Sequence, residues 1–129
     1  MGRSDDFNPG FWGPPTWKVL LIFTLSYPWS EPGKIKISHF EAFFNSLQET
    51  LPCEMCRQSL RVFIRDHPIR DHLTGKIKLL RWVVKLYNDK RPEKSQLKTL
   101  KDLRQVLDPD PTVSAIITEI RRKYPDFHF

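Results

Sequence analysis

Cysteine is scarce in this 129-residue chain: Cys53 and Cys56 are the whole supply. That excludes a disulfide-dense secreted scaffold, and a chain of this length can bury a core without metal or disulfide staples. Long apolar runs are missing too. The longest, Val19–Leu25, is too short and too polar at its edges to span a bilayer. The opening MGRSDDFNPGFW has no apolar h-region, which argues against a secretory leader. Gly2 follows Met1, but Asp6 stands where myristoylation asks for Ser or Thr. Strict apolar–polar alternation framed by hairpin turns is absent, as are internal repeats and low-complexity tracts. The expectation is a cytosolic start, where a C-x-x-C pair is more often redox-active or metal-binding than structural.

What the chain does have is an ordinary globular balance, 40% hydrophobic and 28% charged, over a length that suits one domain, residues 1–129. Nine Phe, four Trp and three Tyr can fill a core, and can also wall a flat aromatic cofactor. The net charge of +6 is spread over many helical turns. It favours acidic partners such as phosphates, nucleic acid or an anionic cofactor, but on charge alone a plain solvated surface is the preferred reading.

Residues 1–13 read as irregular, with an arm over 1–11, and Pro14 and Pro15 are placed to open a helix. Trp17–Ser26 is apolar almost all round, as in a buried helix, and Tyr27–Pro28 ends it. After the turn-forming SEPGK, Ser38 and Glu41 have capping-box spacing for a second helix. Phe40, Phe43, Phe44, Leu47 and Leu51 form its apolar face. Pro52 is expected to start a third helix, with an inward stripe of Cys53, Cys56, Leu60, Phe63, Ile64 and His67. A fourth spans about Lys76–Asn88, a fifth Ser95–Leu107, and a sixth begins at Asp110–Pro111. The class is all-α, a bundle of about four to six helices.

LPCEMC carries the chemistry. A C-x-x-C in the first turn of a helix puts its first thiol where free N–H groups and the macrodipole favour an anion, and the thiolate is the nucleophile of disulfide exchange. Arg57 adds positive charge nearby, and Glu54 works weakly against it. Cys53 is expected as the outer, attacking sulfur and Cys56 as the buried one. Zinc is the rival, because Cys53, Cys56, His67 and His72 spell C-x2-C-x10-H-x4-H, near a zinc-finger pattern. A finger needs a hairpin knuckle at its cysteines, however, and Pro52 followed by a helical stripe is a poor one. A thioredoxin-like reading needs strands around the motif, and a helix precedes it here.

Three segments together resemble the Erv/ALR family of FAD-linked sulfhydryl oxidases. WGPPTWKVLLIFTLSYP is similar to the family's W-G-x-x-x-W-x-x-L-H opening helix ending in Tyr-Pro. FEAFFNSLQETLPCEMCRQSLRVFIRDHP resembles the helix leading into P-C-x-x-C and the helix after it. WVVKLYNDK resembles W-x-x-x-x-H-N-x-V-N. The likeness covers about residues 12–91 and rests on the order and spacing of the three.

The resemblance implies a four-helix bundle holding FAD beside the cysteines, with additional short helices in a C-terminal extension over 95–129. It implies that a substrate protein's dithiol is oxidised by the Cys53–Cys56 disulfide, with Cys53 attacked first. Electrons then pass through Cys56, the flavin-proximal sulfur, to FAD and O2, giving H2O2. Gly13, Trp17, Tyr27 and Asn88 match cofactor-contacting positions, and Trp17 and Trp82 suit aromatic walls. The chain departs from the pattern where Leu21 and Tyr87 replace the two His, Lys90 and Arg91 replace Val and Asn, and Pro14 replaces a basic residue. Tyr87 can still stack on a flat ring, and Lys90 or Arg91 can meet phosphate. Short viral members, the poxvirus type especially, look similarly trimmed, which implies host cytoplasm or virion as the compartment. Without a second C-x-x-C, the enzyme would take electrons directly from a partner protein's thiols, a small viral or host thioredoxin-like protein being one candidate. Its homodimer would be non-covalent; neither nucleic acid, a membrane span nor a metal site belongs to this reading. The alternatives are a flavin-free disulfide carrier and the zinc-binding, nucleic-acid-associated protein.

Overall fold

In the computed structural model, which describes residues 6–129, the first helix begins earlier than the proline signal suggests. Helix α1 is Pro9–Leu25, with Asn8 as its N-cap: the Asn8 side chain accepts from the Gly10 N–H at 2.8 Å, and Pro9 fills the first helical position. Pro14 and Pro15 lie inside the helix, on its exposed side. The carbonyls they leave without intrahelical donors can be served by water, so the expected arm is helical from residue 9. Residues 1–5 of that arm, with Gly2, lie outside the described residues.

Helix α2 is Lys34–Thr50 and starts after Gly33, whose φ of 79° favours glycine. Ser38 is therefore inside the helix and not its cap. Helix α3 is Glu54–Asp66, and Cys53, not Pro52, is the residue at its threshold. A 3-10 turn, Ile69–His72, leads to α4, Lys76–Asn88, which has the expected bounds. The fifth helix is shorter than expected. A 3-10 turn at Glu93–Ser95 and an extended stretch precede α5, Leu100–Val106, because Thr99 and Asp102 close a capping box there. Helix α6 is Pro111–Lys123, with Asp110 accepting from the Thr112 and Val113 N–H groups. There is no strand among the described residues.

The core explains the arrangement. Helix α1 packs on α4 and α2 on α3, while α5 and α6 pair and close one end against α1. Trp82 of α4 is 1% exposed. Its ring stands edge-on to Phe44 of α2 at 5.6 Å and to Phe63 of α3 at 5.4 Å, and its Nε1–H donates to the His67 carbonyl at 2.8 Å. Edge-on pairs of this kind stabilise beyond their buried area by roughly 0.5–1.5 kcal/mol each. The C-terminal third is part of the same body. Asn88 holds Leu97 by accepting from its N–H and donating to its carbonyl, and the Phe129 N–H donates to the Lys98 carbonyl.

The turn after α1 is pinned to the start of α4. The Lys76 N–H donates to the Pro28 carbonyl at 2.8 Å. Gly75 sits so close to Trp29 that a Cβ would lie 2.4 Å from its carbonyl oxygen. Lys76, 5% exposed, donates its ammonium to the Leu25 carbonyl at the C-terminal end of α1 and lies 4.5 Å from the Trp29 ring centre. That carbonyl end is the negative pole of the helix. Burial, followed by the Lys123 charge, holds the Lys76 amine below its ordinary 10.5.

Two outcomes follow from this corner. Gly75→Ala forces backbone against backbone and is expected to cost about 1–3 kcal/mol; an unchanged urea midpoint would remove the close approach as a constraint. For Lys76, the folded chain holds the proton less tightly than the unfolded chain does. Its buried charge therefore costs stability in full below the lowered folded value, and that cost disappears as pH climbs to 10.5. The stability of the parent relative to Lys76→Met should rise through that window in urea titrations at stepped pH, and a flat difference contradicts the assignment.

Candidate active site

The site is built where α2 hands over to α3. Leu51 turns the chain out of α2, Pro52 keeps it extended, and Cys53 caps α3, its Sγ accepting from the Cys56 N–H at 3.3 Å. A side-chain cap on that donor is the interaction that favours negative charge on Cys53 Sγ whenever the sulfur is reduced. Cys56 lies one turn on, with Cα atoms 5.2 Å apart, and the two sulfurs are joined in a disulfide. The Arg57 guanidinium turns back to the Leu51 carbonyl, so its charge sits over the α2–α3 turn.

Depth is the reverse of the expectation. Cys53 is 8% exposed, whereas Cys56 is only half-buried. The reason is the segment before α1, which runs over Cys53: the Phe7 N–H donates to the Pro52 carbonyl at 2.9 Å, and the Glu54 N–H donates to Asp6 Oδ2 at 3.1 Å.

Beside the disulfide is a cavity of about 270 Å³ between α1, the α2–α3 junction and the end of α4. Leu20, Leu47, Leu51, Leu60 and Leu86 make it apolar, and Trp12, Trp17 and Tyr87 give it aromatic walls. Trp17 and Tyr87 meet edge-on at 5.0 Å. The Arg91 guanidinium covers the Tyr87 ring at 3.7 Å, and its Nε–H donates to the Tyr87 carbonyl. Asp89, Lys90 and Arg91 border the same cavity as its charged part. A Cβ on Gly13 would meet nothing within 4 Å, so the glycine leaves room that any side chain there would begin to fill. Cys56 borders this cavity and Cys53 does not; both border a second, more open groove of about 670 Å³. The disulfide thus stands between two spaces.

Of the residues singled out by sequence, Gly13, Trp17, Tyr87, Lys90, Arg91 and Cys56 share the cavity. Besides Cys53, four expected cofactor contacts do not border it. Leu21 is fully buried in the core, one helical step round from Leu20. Tyr27 is 1% exposed and donates its hydroxyl to the Leu73 carbonyl, and burial raises its pKa. Trp82 is committed to Phe44, Phe63 and His67. Asn88 is committed to Leu97. Sequence reasoning missed Trp12, Thr16, Leu20, Leu47, Leu51, Ser59, Leu60 and Leu86. A helix starting at Pro9 would have flagged the α1 members, since 9, 12, 13, 16, 17 and 20 fall on one face.

The zinc pattern does not assemble. Its cysteines are bonded to each other, His67 packs on Phe63 at the end of α3, and His72 lies in the following 3-10 turn with its pKa lowered chiefly by burial. Among the described residues no group of three or more His, Cys, Asp or Glu could hold a metal ion. Nor is any described helix long and apolar enough to cross a membrane.

An all-helical bundle with a disulfide capping its third long helix, set against an aromatic cavity, is an arrangement for thiol–disulfide redox chemistry. Residues 14–106 match the model of the Erv1 / Alr family, and the chain belongs to that family. Its disulfide pair is Cys53–Cys56 and its fold is the family's thiol-oxidase fold. The structure described as "Crystal structure of yeast Erv1 core" is similar over 97% of this chain and 92% of that chain, with a TM-score of 0.61 and 20% identity, a likeness of fold. No curated protein matches the chain.

Proposed function

We propose that this protein is an FAD-dependent thiol oxidase that forms disulfide bonds in substrate proteins, with O2 as the final acceptor and H2O2 as the product. The observation that carries the reading is that Cys56 borders both the aromatic cavity and the open groove. Both cysteines border the groove where thiols can arrive, and Cys56 alone also borders the cavity where a flat acceptor fits.

The residues present suit FAD. Trp12 and Trp17 offer aromatic walls with Tyr87 behind them, Gly13 leaves space, and Lys90 supplies positive charge for phosphates, while Arg91 covers the Tyr87 ring. When bound, FAD would supply the two-electron acceptor chemistry that links the cysteine pair to O2. The chain's own part is to hold the disulfide at the start of α3. Attack on Cys53 Sγ then expels Cys56 as a thiolate beside the cavity, and the Cys56 N–H keeps Cys53 Sγ in place. Leu21 is buried in the core and Tyr87 lines the cavity, so residue 21 makes no contact there.

A second copy of the chain is the further partner in this reading. Val19, Ile22, Phe23 and Phe43 leave an apolar strip exposed across α1 and α2. The trimmed family motifs, like those of short viral members, support placing the activity in host cytoplasm or in a virion.

The purified protein is expected to be yellow, to release FAD on denaturation, and to consume O2 with dithiothreitol. Cys56→Ser should keep the colour and lose the O2 consumption. A colourless protein that refolds without taking up FAD, but still exchanges disulfides, would make it a flavin-free carrier instead. Sedimentation should give a dimer that Phe23→Asp converts to a monomer; a monomeric parent would remove the strip as an interface.

A further inference from the structure

Phe7 is displayed in an unusual way. Its N–H donates to the Pro52 carbonyl, and its own carbonyl accepts from Trp12 Nε1–H at 3.0 Å, so both backbone polar groups are tied down. Yet its side chain is 60% exposed. Met55, between the two cysteines, is also 60% exposed. Both side chains border the open groove that carries Cys53 and Cys56. Exposure alone is common on this surface, but these two apolar side chains border the same groove as the disulfide, so anything that reaches the sulfurs from that side meets them. A fixed backbone also lowers the ordering cost of using Phe7, and the flexible thioether of Met55 can adapt to different occupants.

We infer that Phe7 and Met55 form an apolar clamp that selects thiol substrates by the side chain next to the reactive cysteine. The occupant is an extended, cysteine-bearing protein segment with an apolar residue adjoining its first thiol. The disulfide bordering the groove requires a thiol there, and the two exposed side chains supply the neighbouring contact. This rests on the disulfide-exchange part of the proposed function and adds the choice of substrate. In the exchange, a substrate thiolate bonds to Cys53 Sγ and the Cys53–Cys56 bond breaks, with Cys56 leaving as a thiolate. The second substrate thiol then loses its proton and attacks the substrate sulfur of the mixed disulfide, freeing Cys53. The substrate gives up two electrons and two protons, and the cysteine pair receives the electrons.

The test uses the full oxidised chain without O2 and two synthetic dithiol peptides, one with leucine directly before its first cysteine and one with serine there. Initial formation of oxidised peptide is read by mass spectrometry, a quantity independent of where the electrons go afterwards. The parent should oxidise the leucine peptide faster by roughly tenfold, the equivalent of one modest apolar contact. The Phe7→Ala/Met55→Ala double variant should bring that ratio close to one. Ile35→Ala, which removes a 75% exposed apolar side chain from outside the groove, should leave it intact. No preference in the parent, or a preference that survives the double variant, overturns the clamp. Oxidation of both peptides without preference overturns the clamp alone. Oxidation with preference by a chain that never binds flavin overturns the flavin reading alone. If neither peptide nor dithiothreitol is oxidised, both fall.

Discussion

Trp82 is the point on which the rest of the structure hangs. One indole binds three helices: it belongs to α4, meets rings from α2 and α3 edge-on, and donates to the residue that ends α3. Helix α3 has 13 residues, too few to be stable in isolation, and its polar face gives it little to hold except this inward stripe. Its far end is fixed by Trp82, and its near end by the α2 junction and the Asp6–Phe7 segment. The disulfide is at the near end, so the position of the sulfurs is set by contacts along the whole helix. Loss of the indole's hydrogen bond would leave a buried donor without a partner, a cost of about 1–3 kcal/mol.

The disulfide separates two environments, and that division follows from where the helix ends. A capping residue is extended while the residue three on is helical, so consecutive sulfurs of a C-x-x-C at this position point to different neighbours. Cys53 turns toward the segment before α1, Cys56 toward the leucines and aromatics between α1 and α4. The same residues explain the burial reversal: the segment that covers Cys53 also builds one side of the groove through which Cys53 would be reached.

Charge is arranged with the same economy of means. Of the basic residues near the site, Arg57 is turned to a backbone carbonyl and Arg91 covers an aromatic face, leaving Lys90 common to both the cavity and the groove. Away from the site, Lys76 answers the negative end of α1 from inside the molecule, at the cost of a proton held less firmly than usual. The surface ion pairs, such as Lys18 with Asp108 and Lys98 with Glu93, are exposed and contribute little to stability.

Helical periodicity and capping chemistry alone determined the all-α class, the bounds of α4, the start of α6 and the place of the cysteines at a helix threshold. Those are local properties: spacing of apolar residues, a Pro, an Asp, a C-x-x-C. The start of α1 was legible only in part, because the Pro14–Pro15 pair outweighs the quieter Asn8–Pro9 cap when nothing says that residues 10–13 are packed. Which residues line the cavity was not legible for most of them. Leu20 and Leu21 are equal in sequence, and one helical step decides that the first meets the cavity and the second the core. Tyr27, Trp82 and Asn88 look like site residues by type, and only the carbonyls and rings brought to them from distant segments turn them into structural anchors. The covering of Cys53 by residues some forty-five positions earlier in the chain is likewise a product of packing. The sequence by itself determined an all-α chain with a C-x-x-C at the start of a helix; the tertiary structure decided which side of the disulfide each residue faces, because facing is set by contacts between segments that no local pattern records.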